Sequence, residues 1–190
     1  MDNTLLDDDF DVADVKIPMT KVEFLNWNPD DGFLYEYDGE YAEQLHAMQN
    51  TERYLVRNIQ KQFQSTNAFQ EGHWLFEETE CWLTSQQMRR PDMALFSEEQ
   101  IRESTAGGHP VPAFVVEIIS EHDKANKIEK KVGEYFRAGV QVVWHVYPEL
   151  RMVRVLLSPR SLSSLFDADV VSAAPAVSDL QLTVDALFAL

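Results

Sequence analysis

Cysteine is nearly absent from this 190-residue chain. The one thiol, Cys81, has no second cysteine with which to close an internal disulfide, which suits a reducing compartment. No neighbouring histidine marks it as a nucleophile either. Long apolar runs are also missing, and none approaches the roughly 18 residues that cross a bilayer, so no membrane partner is expected. The opening residues Met1-Asp2-Asn3-Thr4-Leu5-Leu6 lack the basic and apolar regions of a secretory signal, so the expected location is cytoplasmic. Glycines number only 7 and form no phosphate-binding loop. His46, His73, His109, His122 and His145 show no metal-ligand spacing.

Positive charge is the other shortage. Sixteen basic residues face 32 acidic ones, and the net charge of -16 disfavours loose electrostatic binding to nucleic acid. The excess is uneven: Asp2, Asp7, Asp8, Asp9, Asp11 and Asp14 all precede Lys16. Residues 1–16 are therefore expected to be a mobile, solubilising acidic tail. From Arg89 to Arg137 eight basic residues nearly balance nine acidic ones. Residues 17–190, with ordinary apolar content, are long enough for a single domain with a real core.

Local signals outline the elements. Thr20, with Glu23 three residues on, makes a capping box for a short helix ending near Trp27. Asn28-Pro29-Asp30-Asp31-Gly32 breaks the chain, residues 33–37 alternate as a strand, and Asp38-Gly39 turns into a hairpin with residues 41–45. Asn50 or Thr51 is the candidate cap of a helix to about residue 65, carrying Tyr54, Leu55, Ile59 and Phe63 at helical spacing. Residues 73–83 read as one or two strands, 92–96 as a short strand, and Ser97 as the start of a polar turn leading to a loop at 107–110.

Residues 113–119 are almost wholly apolar and β-branched, as in a strand buried on both faces. A helix over about 123–138 stops at Gly139, and 141–147 is a second buried strand that pairs with 152–157. Small irregular pieces and a helix from about Val184 complete the chain. A strand–helix–strand unit over 113–147 calls for a parallel, right-handed crossover in an α/β fold. Trp27, Trp74, Trp82 and Trp144 are expected in core or strand packing.

Two carboxylates break the pattern. Glu117 stands inside the apolar strand, where it needs a cation, a donor or a raised pKa. Asp92 starts a short apolar strand directly after Pro91. Acids on neighbouring strands can share a hard divalent cation. The plainer alternatives are a strand-entry cap for Asp92 and a buried arginine as partner for Glu117. On the following helix Ala125, Ile128, Val132, Tyr135 and Phe136 form the apolar stripe, flanked by Lys124 and Lys131. Lys131 can reach the Glu117 strand or simply snorkel at the edge of a packed face. Lys127, Lys130, Glu134 and Arg137 fall on the opposite, solvated side.

Three segments resemble the Uma-two family of bacterial restriction-endonuclease-like proteins. They are Arg90-Pro91-Asp92-Met93-Ala94-Leu95, the stretch from Pro112 to Ser120 around Glu117, and Lys131-Val132-Gly133-Glu134-Tyr135 through Gly139 to Trp144. Tyr35-Glu36 with Gly39-Glu40, and the ending Val177-Ser178-Asp179-Leu180, extend the likeness over nearly the whole chain. The resemblance implies a restriction-endonuclease-like core: a central mixed β-sheet flanked by helices, with an N-terminal helix and hairpin. It also implies a Mg²⁺-dependent endonuclease that cuts DNA through a PD-(D/E)xK-type site. Asp92 and Glu117 would bind the metal, Glu36 would be an additional acid, and Lys131 would stand in for the motif lysine. Ile119 occupies that lysine's usual position, Glu52 stands where many relatives carry histidine, and Lys127 where many carry aspartate, with Asp123 as a substitute. A homodimer is expected for cutting two strands. The rival expectation is a catalytically silent nuclease-fold protein that binds or regulates a partner.

Overall fold

The computed structural model describes residues 15–45, 49–121 and 123–190. The acidic stretch up to Asp14, His46 and His122 lie outside them. In chain order the elements begin with β1 (Lys16–Pro18), α1 (Lys21–Asn26), β2 (Tyr35–Tyr37) and β3 (Tyr41–Gln44). After a 3-10 turn at Asn50–Glu52 come α2 (Arg53–Phe63), α3 (Asn67–Gln70), β4 (Trp74–Glu77), β5 (Cys81–Thr84) and β6 (Gln87–Arg89). Next are β7 (Met93–Phe96), α4 (Glu98–Thr105), β8 (Phe114–Ile118), α5 (Ala125–Ala138) and β9 (Val142–Tyr147). The chain ends with β10 (Met152–Ser158), β11 (Ser161–Phe166), β12 (Val170–Ser172), β13 (Gln181–Thr183) and α6 (Val184–Leu187).

A six-stranded sheet in the order β11-β10-β9-β8-β7-β4 forms the centre. β8 and β9 run parallel, joined through α5, and every other neighbouring pair is antiparallel, so the sheet is mixed as expected. Strand alternation divides its side chains between two cores. Phe114, Val116, Val142, Trp144 and Val146 face α2 and α6, while Val115, Val143, Ala94, Phe96 and Leu156 face α5. A five-stranded antiparallel sheet, β1-β3-β2-β6-β5, holds a third cluster around Tyr37, Trp82 and Met88.

Local signals explain most boundaries. The Thr20 hydroxyl accepts from the Glu23 N–H while Glu23 returns to the Thr20 N–H, completing the capping box. Gly139 ends α5 in the left-handed region at φ 113°, where a side chain would be strained. Three differences from the sequence expectations stand out. Lys16 belongs to β1, paired with Glu43 on β3, and so lies in the fold and not in the tail. Residues 98–105 form α4 where a polar turn was expected, because Ser97 and Gln100 make a second capping box. The expected irregular segment after β10 is the six-residue strand β11. The tryptophans follow the expectation of core or strand packing: Trp144 and Trp82 are buried, and Trp74, 44% exposed, lies in β4 against Phe69.

The Gly139 position gives a stability test. A Cβ added there meets nothing within 4 Å, so Gly139→Ala introduces backbone strain without a clash. It should lower unfolding free energy by about 1–2 kcal/mol, measured as a reduced urea midpoint at unchanged slope.

Candidate active site

The register of the central sheet lays its unusual polar residues side by side. Glu117 on β8 is opposite His145 on β9, and His145 is opposite Arg154 on β10. Met93 pairs with Val116, which brings Asp92, one residue before β7, alongside Glu117. Opposed residues share a face, so this row lies on the α5 side of the sheet, at the end where the apolar core of that side stops. α5 crosses above the row. It delivers Lys131 and Tyr135, one helical turn apart, to the same place.

The contacts are specific. The Tyr135 hydroxyl donates to Glu117 Oε1 at 2.5 Å, and the Lys131 ammonium lies 3.6 Å from the same oxygen. Lys131 Nζ also lies 2.9 Å from Glu36 Oε1, which accepts the Arg90 N–H at 2.9 Å as well. Arg89 completes the network, with Nη1 3.2 Å from Glu36 Oε2 and Nε 2.8 Å from Glu134 Oε2. The Ile118 N–H donates to Asp92 Oδ2 at 2.5 Å. Glu36, Arg89, Glu117 and Glu134 are all buried, while the Lys131 side chain keeps 24% of its surface exposed.

The carboxylates divide into two electrostatic classes. Burial pushes Asp92 well above the ordinary carboxylate range, and the Glu117 charge adds to it against the Ile118 hydrogen bond. Burial likewise raises Glu117, and the Glu36 charge adds to it; Lys131 and Tyr135 offset this only in part. Burial would raise Glu36 too, but Lys131, Arg89 and the Arg90 N–H outweigh it and hold that acid below its usual value. Lys131 is raised despite burial, because Glu117 and Glu36 favour its charge. His145 is lowered to about 4 by burial and then by Arg154 and Lys131, so it is neutral near pH 7.

All four residues singled out in the sequence, Glu36, Asp92, Glu117 and Lys131, line one cleft. Glu52, Asp123, Lys124 and Lys127, the departure positions and their neighbours, line it too, as does Ile119. Glu134 is the correction. Helical phase turns it away from the central sheet, but the smaller sheet packs there and buries it against Arg89. The buried arginine considered for Glu117 exists as Arg89, and it serves Glu36 and Glu134 instead. Sequence reading also passed over Tyr135 as a polar contact, although its spacing of four from Lys131 was the available signal.

The oxygen-only donors of Asp92 and Glu117 fit a hard divalent cation such as Mg²⁺. Added positive charge there would offset the cost of burying Glu117 and half-burying Asp92.

Comparison with known proteins gives the family and the fold. The chain belongs to the Uma2 family, whose model, described as "Putative restriction endonuclease", matches residues 22–185. No curated protein sequence matches it. Among solved structures, "a putative nuclease belonging to DUF820 from Anabaena variabilis ATCC 29413" is similar with a TM-score of 0.76 at 22% identity, over 90% of this chain and 98% of that one. That likeness shows a common fold.

The two classes of carboxylate predict opposite stability effects. Raised acids hold protons more tightly when folded, so their burial costs stability that grows as pH climbs above the ordinary values of 3.8 for Asp92 and 4.5 for Glu117. Glu36, held low, stabilises above 4.5, and that contribution is lost as pH falls through its folded value. Asp92→Asn should therefore raise Tm at pH 8 and flatten the decline in stability between mildly acidic and alkaline pH. Glu36→Gln should lower stability by about 3–5 kcal/mol, because it strips buried Arg89 and Lys131 of their shared counter-charge. Thermal melts of both variants across pH check the pair.

Proposed function

We propose that this Uma2-family chain is an endonuclease that hydrolyses phosphodiester bonds of DNA through a PD-(D/E)xK-type site, with Asp92 and Glu117 as its Mg²⁺ ligands. The observation that carries this reading is the placement of half-buried Asp92 and buried Glu117 side by side with an anchored lysine in one cleft. When bound, Mg²⁺ would supply an activated water and offset charge on the phosphate oxygens.

The chain's own groups have distinct tasks. The Ile118 N–H fixes Asp92 through one oxygen, and Tyr135 and Lys131 together fix Glu117. Lys131 balances the negative charge that grows on the phosphate in the transition state. Glu36 acts behind it. Both Glu36 oxygens are engaged, by Arg89 on one side and by Arg90 N–H and Lys131 on the other, so this acid holds the ammonium in place. It is a positioning residue. Lys124 and Lys127 line the same cleft and bring cationic groups to a backbone phosphate in a chain of net charge -16. Substrate identity rests on the family description.

The second reading, a silent nuclease-fold binding module, is favoured by one observation: Ile119 holds the position of the motif lysine. Plasmid nicking separates the two. Wild type should nick supercoiled DNA only with Mg²⁺, Asp92→Asn and Glu117→Gln should abolish nicking with the fold intact, and Lys131→Ala should lose about 10²-fold or more. Mg²⁺ should also raise the Tm of wild type and leave that of Asp92→Asn unmoved. Absence of both cleavage and the melting shift would overturn the nuclease reading and favour the binding module.

A further inference from the structure

The central sheet ends on an edge unlike the others. β11 is its outermost strand, six residues long, with every residue exposed except half-buried Leu165. Its sequence, Ser161-Leu162-Ser163-Ser164-Leu165-Phe166, carries no charge and no proline in a chain with 25% charged residues. Sheet edges are ordinarily protected by short length, lysine, proline or inserted charge. Among the described residues, β4 is shorter and carries Glu77, and β1 has three residues including Lys16 and Pro18. No residue within β11 supplies such a device, and the one carboxylate on its backbone is Asp169, which accepts the Phe166 N–H at the end of the strand at 3.0 Å.

We propose that β11 pairs antiparallel with β11 of a second copy, about a two-fold axis at Ser164, so that the two central sheets become continuous. A two-fold axis perpendicular to a sheet maps each face onto itself, so opposed residues must come from the same face. Leu162, Ser164 and Phe166 share one face, since they oppose Leu156, Arg154 and Met152 on β10. Centring the pairing on Ser164 sets that residue opposite its own copy and Leu162 opposite the partner's Phe166, twice. Both are large exposed hydrophobics, 50% and 44% accessible, and an aliphatic–aromatic cross-strand pair covers them. The contact is self-complementary, as a closed dimer requires.

Charge also selects this edge. Two molecules of net charge -16 repel over most of their surfaces, and β11 offers an uncharged line of approach. At its ends, Arg160 of each copy comes within one residue of the partner's Asp167, bringing opposite charges together.

The axis lies in the row that contains the candidate site, because Ser164 opposes Arg154, Arg154 opposes His145, and His145 opposes Glu117. Both clefts therefore open on one face. Strand spacings of ~4.8 Å put the two Glu117 positions roughly 34 Å apart along the sheet. That is close to one turn of B-form DNA, ~34–36 Å. This consequence rests on the nuclease reading, whereas the pairing itself does not.

Crosslinking of the full chain tests it. Opposed residues in a hydrogen-bonded antiparallel pair have Cα atoms ~5.5 Å apart, within the ~4.4–6.8 Å span of a disulfide. Ser164→Cys should form a covalent dimer under mild oxidation, while Ser161→Cys, which does not oppose itself, should stay monomeric. The native Cys81 is buried and does not compete. Light scattering at micromolar concentration should give a dimer mass for wild type and a monomer for Ser164→Lys, with unchanged far-UV circular dichroism. A monomeric wild type, equal crosslinking of both cysteine variants, or a dimer that survives Ser164→Lys would overturn the proposal. These readouts need no substrate, so their failure is distinct from failure of the nuclease reading.

Discussion

Glu36 is buried on β2 of the smaller sheet, and its negative charge has to be answered there. An ionised carboxylate taken out of water is sustained only by close cations and donors. Arg89 from β6, the Arg90 N–H beyond it and Lys131 from α5 supply them. Those three elements are thereby tied to one point, and Arg89 carries the link on to Glu134 of the helix. The position of Lys131, and through it the environment of Glu117, follows from neutralising Glu36.

The same network explains why the acids of the cleft behave differently. Glu36 has cations on both oxygens and stays charged, whereas Asp92 has one N–H and a neighbouring acid. Glu117 has only part of Lys131, whose ammonium sits closer to Glu36. The protein thus keeps one carboxylate fully compensated and leaves two under-compensated at the mouth of a cleft. Fold stability alone favours removing that shortfall, which is what makes the cleft a candidate site. Neutral His145 and the cation Arg154 continue the row away from the acids, so charge changes sign across the sheet.

Much of the fold was legible because its signals are local. A capping box at Thr20, a stop at Gly139 and an apolar run over 113–119 each depend on residues a few positions apart. α4 escaped because it buries no residue and so has no apolar stripe, although Ser97 and Gln100 carry the same capping signature as Thr20 and Glu23. β11 escaped because an exposed edge strand needs no alternation of polar and apolar residues. Asp92 and Glu117 were visible as carboxylates out of place in apolar strands. Glu134 was misplaced because helical periodicity reports one packed face, and α5 is packed on two.

By itself, the sequence determined the elements around the site, the family, and the two acids that an apolar strand pattern does not accommodate. The tertiary structure decided which cation answers which acid. Lys131, Tyr135, Arg89 and Glu36 lie as many as 99 positions apart in sequence. Coulomb attraction and hydrogen bonding act over a few ångströms of space and carry no record in chain order. Only the packing of α5 between two sheets brings these groups within that range.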